Sequence, residues 1–125
     1  MKQKLISCNA PSDRTGRTYP KDEMEKAVDE YQLKIDAGVA FGELNNPSIP
    51  DVNLTNISHR VTDMHFEGDD IYASIKILDT PAGEQLMELL KHGCVRVTPV
   101  MTASVNELGI VKDITIQKTN FILEE

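Results

Sequence analysis

Two neighbouring runs of alternating side chains constrain the fold of this chain more than any other feature. Residues 59–67 and 70–78 each alternate between apolar and polar residues, and a Gly-Asp turn separates them. Every second residue of a strand points to the same face. In the second run, that face carries four apolar residues: Ile71, Ala73, Ile75 and Ile77. The pair predicts a β-hairpin with one buried face, although its acidic tip allows more than one pairing register.

Two other segments have the period of an amphipathic helix. The first covers about residues 20–36, with Pro20 at its first position and Asp22 and Glu23 in the first turn, where the helix dipole favours acidic groups. The second covers about residues 81–92, preceded by Thr80, whose hydroxyl suits an N-cap. Both segments predict helices that pack one apolar stripe against the rest of the chain.

The remaining apolar segments are short and read as strands. They lie at residues 4–8, 39–44, 94–105 and 109–117, with a possible short strand at 121–123. Strands that outnumber two interspersed helices are typical of an α+β protein. We therefore predict a single domain over residues 1–125, in which a mainly antiparallel β-barrel or sheet is flanked by the two helices.

Length and charge exclude several classes of function. The chain has 125 residues, of which 40% are hydrophobic, and these values suit one domain with one core. A net charge of −7 argues against binding to nucleic acid, which needs clustered Lys and Arg. No apolar run approaches the length of a membrane span, and the N-terminus does not resemble a signal peptide, so we expect a cytoplasmic protein without a membrane partner.

The cysteines and histidines do not predict a metal or cofactor site. Cys8 and Cys94 are far apart, which favours two free thiols in a reducing compartment over a disulfide. The three histidines and two cysteines form no metal-binding motif, and the chain has no phosphate-binding loop and no GxSxG motif. We expect neither a metal nor a cofactor.

His59 is the first candidate for a chemical role. Its strand offers Asp63 on the same face, but about 13 Å away at roughly 3.3 Å per residue, so we expect no local partner for the imidazole. A catalytic triad would have to bring partners from other strands, as triads commonly do. From the spacing alone, His59 is a histidine at a strand start on a solvent-exposed face.

The candidate nucleophiles are hydroxyls and thiols in several segments: Ser58, Thr98, Thr102, Ser104, Cys8 and Cys94. Thr98 precedes Pro99, which cannot donate a ladder hydrogen bond, so this strand is expected at a sheet edge or at a bulge. Bulges often lie next to active sites and redirect a side chain. The alternative is an ordinary β-branched strand residue. Helix capping accounts fully for the sequence Asp79-Thr80-Pro81.

Five segments resemble, in the same order, the prohead (capsid-maturation) serine proteases of tailed bacteriophages. They occur within roughly residues 1–123 and read DRTGRTYPKDEMEKAV, FGEL, SHRVT, ILDTPAG and VTPVMTASVNELGIVKDI. The resemblance implies the fold of the herpesvirus assembly proteases, an antiparallel β-barrel flanked by helices. It also implies cleavage of scaffold and capsid proteins inside the immature head, in the host cytoplasm, and possible self-association.

The resemblance also implies a set of site residues. His59 takes the place of the catalytic histidine, and Thr98 the place of the nucleophilic serine, with Ser104 as a second candidate nucleophile. The third member of the triad is left open between Asp113, Glu43 and Asp79, in that order. Two departures from the family stand out: a threonine at position 98, and Asn46 where relatives often have histidine in a Gly-Glu-Leu-x-His-Pro motif. The segment 122–125 is similar to the apolar-x-Glu sites that some of these enzymes cut.

Three functions therefore remain open at this stage. The first is a maturation endopeptidase, in which His59 activates the hydroxyl of Thr98 or Ser104. The second is an inactive protein with the protease fold that serves in capsid assembly, because both departures fall on polar site positions. The third is an unrelated small α+β binding module.

Overall fold

A computed structural model describes residues 1–11, 16–44 and 54–123 of the chain. It contains two helices, a short 3-10 turn and six strands. In chain order these are β1 (Lys2–Ser7), α1 (Lys21–Asp36), β2 (Phe41–Leu44), the turn Leu54–Asn56, β3 (Ile57–Glu67), β4 (Asp70–Ile77), α2 (Pro81–Lys91), β5 (Val95–Val105) and β6 (Val111–Leu123). The predicted α+β class and both helices are confirmed.

The six strands form one sheet in the order β1-β4-β3-β2-β6-β5. Four of the five pairings are antiparallel, whereas β2 and β6 run parallel. The sheet curls so that its edge strand β1 contacts its other edge strand β5. The prediction of a mainly antiparallel sheet is confirmed, and the parallel pair is an addition that local sequence patterns do not reveal.

The β3–β4 hairpin forms as its alternation predicts. Phe66 lies opposite Ile71 and Met64 opposite Ala73, so the apolar residues of both strands share one face. A register shift between Val61 and Asp63 is the one irregularity in this pairing. The apolar face belongs to a core that also receives the buried stripe of α1 and Leu86 of α2.

Strand β6 differs from the prediction. The segments 109–117 and 121–123 were predicted as separate strands. In the structure, one strand runs from Val111 to Leu123 and continues through Lys118, Thr119 and Asn120. These three polar residues interrupt the apolar pattern, yet all are buried. The prediction was wrong here because a polar run normally marks a loop.

The start of α1 also lies one residue later than expected. Pro20 is the residue before the helix and provides no side-chain cap. Instead, the side-chain oxygen of Asn9 accepts a hydrogen bond from the Lys21 N–H at 2.9 Å. The first turn of α1 is therefore capped from the loop that follows β1.

Thr80 caps α2, as predicted. Its hydroxyl oxygen accepts a hydrogen bond from the Gly83 N–H at 2.9 Å and donates one to the Ile57 carbonyl at 2.6 Å. One side chain thus ties the start of α2 to the start of β3. Neither described helix is long and apolar enough to cross a membrane.

Candidate active site

His59 lies near the start of β3 and is fully buried. The expectation of a solvent-exposed face was wrong, because β3 is an inner strand with β4 on one side and β2 on the other. His59 pairs with Gly42 of β2 and with Ile77 of β4. The imidazole therefore points into the core from the middle of the sheet.

Both ring nitrogens of His59 have hydroxyl partners. Nδ1 lies 2.7 Å from the Ser58 hydroxyl, and Nε2 lies 2.8 Å from the Thr119 hydroxyl. The ring also contacts Phe121 edge-on, with 4.8 Å between ring centroids. The expectation that His59 has no local partner was wrong, because the hydroxyl of the preceding residue reaches its ring.

Burial sets the charge state of this histidine. Removal from water penalises the imidazolium and lowers the pKa of His59 from 6.5 to about 4. The ring is therefore neutral at physiological pH, with one nitrogen as donor and the other as acceptor. A hydroxyl can fill either role, so Ser58 and Thr119 satisfy both nitrogens.

Gly42 leaves the space that the imidazole occupies. A Cβ atom at this position would lie 2.0 Å from His59 Nε2 and 2.5 Å from the Thr119 carbonyl oxygen. Real Cβ atoms do not approach other atoms so closely, so a larger residue would displace the ring or the strand. The glycine of the FGEL segment thus belongs structurally to the His59 site.

Thr98 lies on β5, which is an edge strand with a register shift just after Val100. From Pro99, the sequence predicted either an edge strand or a bulge at this point. Thr98 is half-buried and pairs with Asn120, while Pro99 pairs with Thr119. Antiparallel partners share a face and successive residues alternate, so Thr98 and Thr119 lie on opposite faces of the sheet.

The structure therefore does not join Thr98 to His59. The hydroxyl that bonds His59 from β6 is that of Thr119, on the inner face, whereas Thr98 faces outward with Asn120. The catalytic role of His59 stays a prediction from the resemblance.

A buried polar cluster lies on the outer face beside Thr98. The Lys118 ammonium donates a hydrogen bond to the Glu43 carboxylate at 2.6 Å, and both side chains are fully buried. Glu43 pairs with Asn120 across the parallel strands, and Asn120 pairs with Thr98 across the antiparallel ones. We call Glu43, Lys118, Asn120 and Thr98 the outer cluster.

Sequence reasoning proposed Glu43 and Thr98 but missed Lys118 and Asn120. The available signal was their position between the apolar residues Ile116 and Phe121. A polar run flanked in this way fits a strand that is buried on both faces, where polar side chains need partners.

The other candidates lie away from His59. Ser104 is exposed and pairs with Lys112. Asp113 is exposed, and its N–H donates to the Glu23 carboxylate at 3.4 Å. It stands six positions before Thr119 on β6, or about 20 Å along an extended strand. Asp79 is exposed in the bend before α2.

Both cysteines are free thiols, as predicted. Burial, followed by the charge of Asp69, raises the pKa of the Cys8 thiol to about 11, so this thiol is a poor nucleophile at neutral pH. Cys94 is half-buried, and its Sγ donates to the Leu89 carbonyl at 3.4 Å. Asn46 and the end of the segment 122–125 lie outside the described residues.

Within residues 1–11, 16–44 and 54–123, no group of three or more His, Cys, Asp or Glu side chains is arranged to hold a metal ion. The half-buried His65 instead forms hydrogen bonds to Asp63 at 2.7 Å and Glu67 at 2.8 Å. It is a residue of the β3–β4 hairpin.

The curled mixed sheet and the two helices place this chain among the α+β proteins. Within that class, the model of the prohead core protein serine proteases matches residues 5–124, and the chain therefore belongs to that family. The family resemblance predicted from the sequence is confirmed.

Two comparisons with individual proteins agree. The chain is 31% identical over 84 residues to the prohead core protein protease of Enterobacteria phage T4, an alignment that covers 65% of this chain and 40% of the relative. The solved structure of the bacteriophage T4 capsid assembly protease matches all of this chain and 82% of the other, with a TM-score of 0.83. At 21% identity, the second comparison concerns the fold alone.

Proposed function

We propose that this protein acts in the maturation of a phage head as an endopeptidase that cleaves scaffold and capsid proteins inside the prohead, in the host cytoplasm. The observation that carries this proposal is the family match over residues 5–124, supported by the matching fold. The T4 relative is named for the same prohead core.

Thr98 is the nucleophile that this proposal favours. It is half-buried on an edge strand and belongs to the outer cluster. A threonine hydroxyl can attack a carbonyl, although its methyl group restricts χ1 and crowds a neighbouring base. His59 has the neutral imidazole that a general base requires, but its ring lies on the face of the sheet opposite to Thr98, so the strands would have to rearrange before it could act on Thr98.

A second candidate is a catalytically silent family member with a structural role in head assembly. The enclosed imidazole favours this candidate, since both nitrogens of His59 already bond to hydroxyls in a fully buried setting. Thr98 and Thr119 lie on opposite faces of the sheet, which also favours the catalytically silent candidate.

Co-expression with the neighbouring capsid and scaffold proteins separates the two candidates. Cleavage products are followed by gel and mass spectrometry for wild type, Thr98→Ala and His59→Ala. Thr115→Ala is the matched control, because Thr115 is an exposed threonine of the neighbouring strand β6. The endopeptidase proposal expects cleavage by wild type and Thr115→Ala, and loss of cleavage in Thr98→Ala.

Each contrary result has a distinct meaning. Cleavage by Thr98→Ala at the wild-type rate removes Thr98 from the mechanism, and the same result for His59→Ala removes His59. If neither wild type nor any variant cleaves while assembled heads still form with the protein inside, the structural candidate replaces the endopeptidase.

A further inference from the structure

The outer cluster places polar side chains where apolar ones would normally be found. Glu43, Lys118 and Asn120 have at most 1% of their surface exposed, although they lie in two neighbouring strands of the sheet. Buried charged residues lose hydration, and a well-packed apolar pair of similar volume is often as stable or more so. Stability alone therefore does not account for the ion pair at this place.

The pairing of the strands orders the cluster. Glu43, Asn120 and Thr98 stand directly opposite one another on β2, β6 and β5. Directly opposite side chains of antiparallel strands have Cβ atoms roughly 4.5–5.5 Å apart, so the Asn120 side chain is the neighbour of Thr98 on β6. Glu43 is its partner in the parallel pairing on the other side. The Lys118 ammonium holds the Glu43 carboxylate from the same face.

Exposure to solvent increases along the row of Glu43, Asn120 and Thr98 towards the sheet edge, as it does in a site that a substrate can reach from outside. Glu43 and Asn120 are buried, whereas Thr98 at the sheet edge is half-buried. A reactive hydroxyl at the rim of a row of fixed polar groups has a defined orientation, which attack on a carbonyl requires. His59 does not share this face.

We infer that Asn120 is the positioning residue for the Thr98 hydroxyl, and that the Glu43–Lys118 ion pair fixes the Asn120 amide. This inference rests on the proposed endopeptidase function and names the residues that support its nucleophile. In this inference Asn120 orients the hydroxyl from the neighbouring strand, while Glu43 and Lys118 hold the amide through their charges.

Steady-state kinetics test the inference on the full-length protein, with a peptide that spans a cleavage site mapped in the co-expression experiment. We expect Asn120→Ala to lower kcat about 100-fold with KM unchanged, since a misplaced nucleophile loses rate and not substrate binding. The double variant Glu43→Met/Lys118→Met should lower kcat about tenfold with KM unchanged, because the amide is then held less firmly. Thr115→Ala is the control and should keep the wild-type kcat.

The melting temperature distinguishes positioning from a purely structural role. The double Met variant replaces a buried ion pair with apolar side chains, so we expect its melting temperature to equal or exceed that of wild type. A wild-type kcat in Asn120→Ala, or in the double variant if Asn120→Ala does not fold, would overturn the inference. Wild-type protein that cleaves no substrate would instead overturn the proposed function itself.

Discussion

At the scale of single residues, the charge of His59 is the most direct consequence of burial. The unfolded chain binds a proton at this ring near pH 6.5, whereas the folded protein does so only near pH 4. The folded state therefore resists protonation of His59. The contribution of the neutral ring to the free energy of unfolding is fully present above pH 6.5 and is lost as the pH falls towards 4. The loss amounts to about 3 kcal/mol of unfolding free energy.

We therefore predict that the Cε1 proton resonance of His59 does not titrate above pH 5. NMR spectra recorded between pH 4 and 8 measure this directly, and His65 is an internal control. Its hydrogen bonds to Glu67 and Asp63 raise its pKa, so His65 should titrate at a higher pH than His59. A midpoint for His59 near its ordinary value would show that water reaches the ring.

At the scale of elements, Thr80 connects α2 with β3. Loss of its hydroxyl removes the helix cap and leaves the Ile57 carbonyl without its donor. We expect Thr80→Ala to lower the free energy of unfolding by about 1–2 kcal/mol, measured by urea denaturation. Thr80→Ser keeps the hydroxyl and should retain most of the stability. Equal losses in both variants would assign the effect to the methyl group.

Helices and strands that are encoded by neighbouring residues could be predicted from the sequence. The pairings between strands far apart in the chain could not. The β3–β4 hairpin and both helices follow from alternation, caps and periodicity within a few residues. The contact of His59 with Thr119 depends on the parallel pairing of β2 and β6, which no short pattern encodes. The same pairing explains why Lys118 and Asn120 were missed. Glu43 was proposed through the resemblance alone, whereas Thr98 was also indicated by its place before Pro99.

At the scale of the whole molecule, protection of backbone amides should follow position in the sheet. Strands β3 and β6 are paired on both sides, while β5 pairs only with β6. We predict that hydrogen–deuterium exchange followed by mass spectrometry is slowest in β3 and β6 and faster in β5. Slow, concentration-dependent exchange along β5 would contradict this order and would indicate that a second copy covers the edge, the self-association that the family resemblance suggested.

The parallel pairing of β2 with β6 also affects the order in which the chain folds during translation. On the ribosome, β1 to β4 emerge well before the hairpin of β5 and β6, and that hairpin joins them by pairing with β2. Pairings between segments so far apart in the chain form late and slowly. A nascent chain therefore has neither the Thr119 partner of His59 nor the strand that holds Thr98 until translation has passed residue 121. The hydrogen bond between His59 and Thr119 is in this way delayed until β6 has been synthesised.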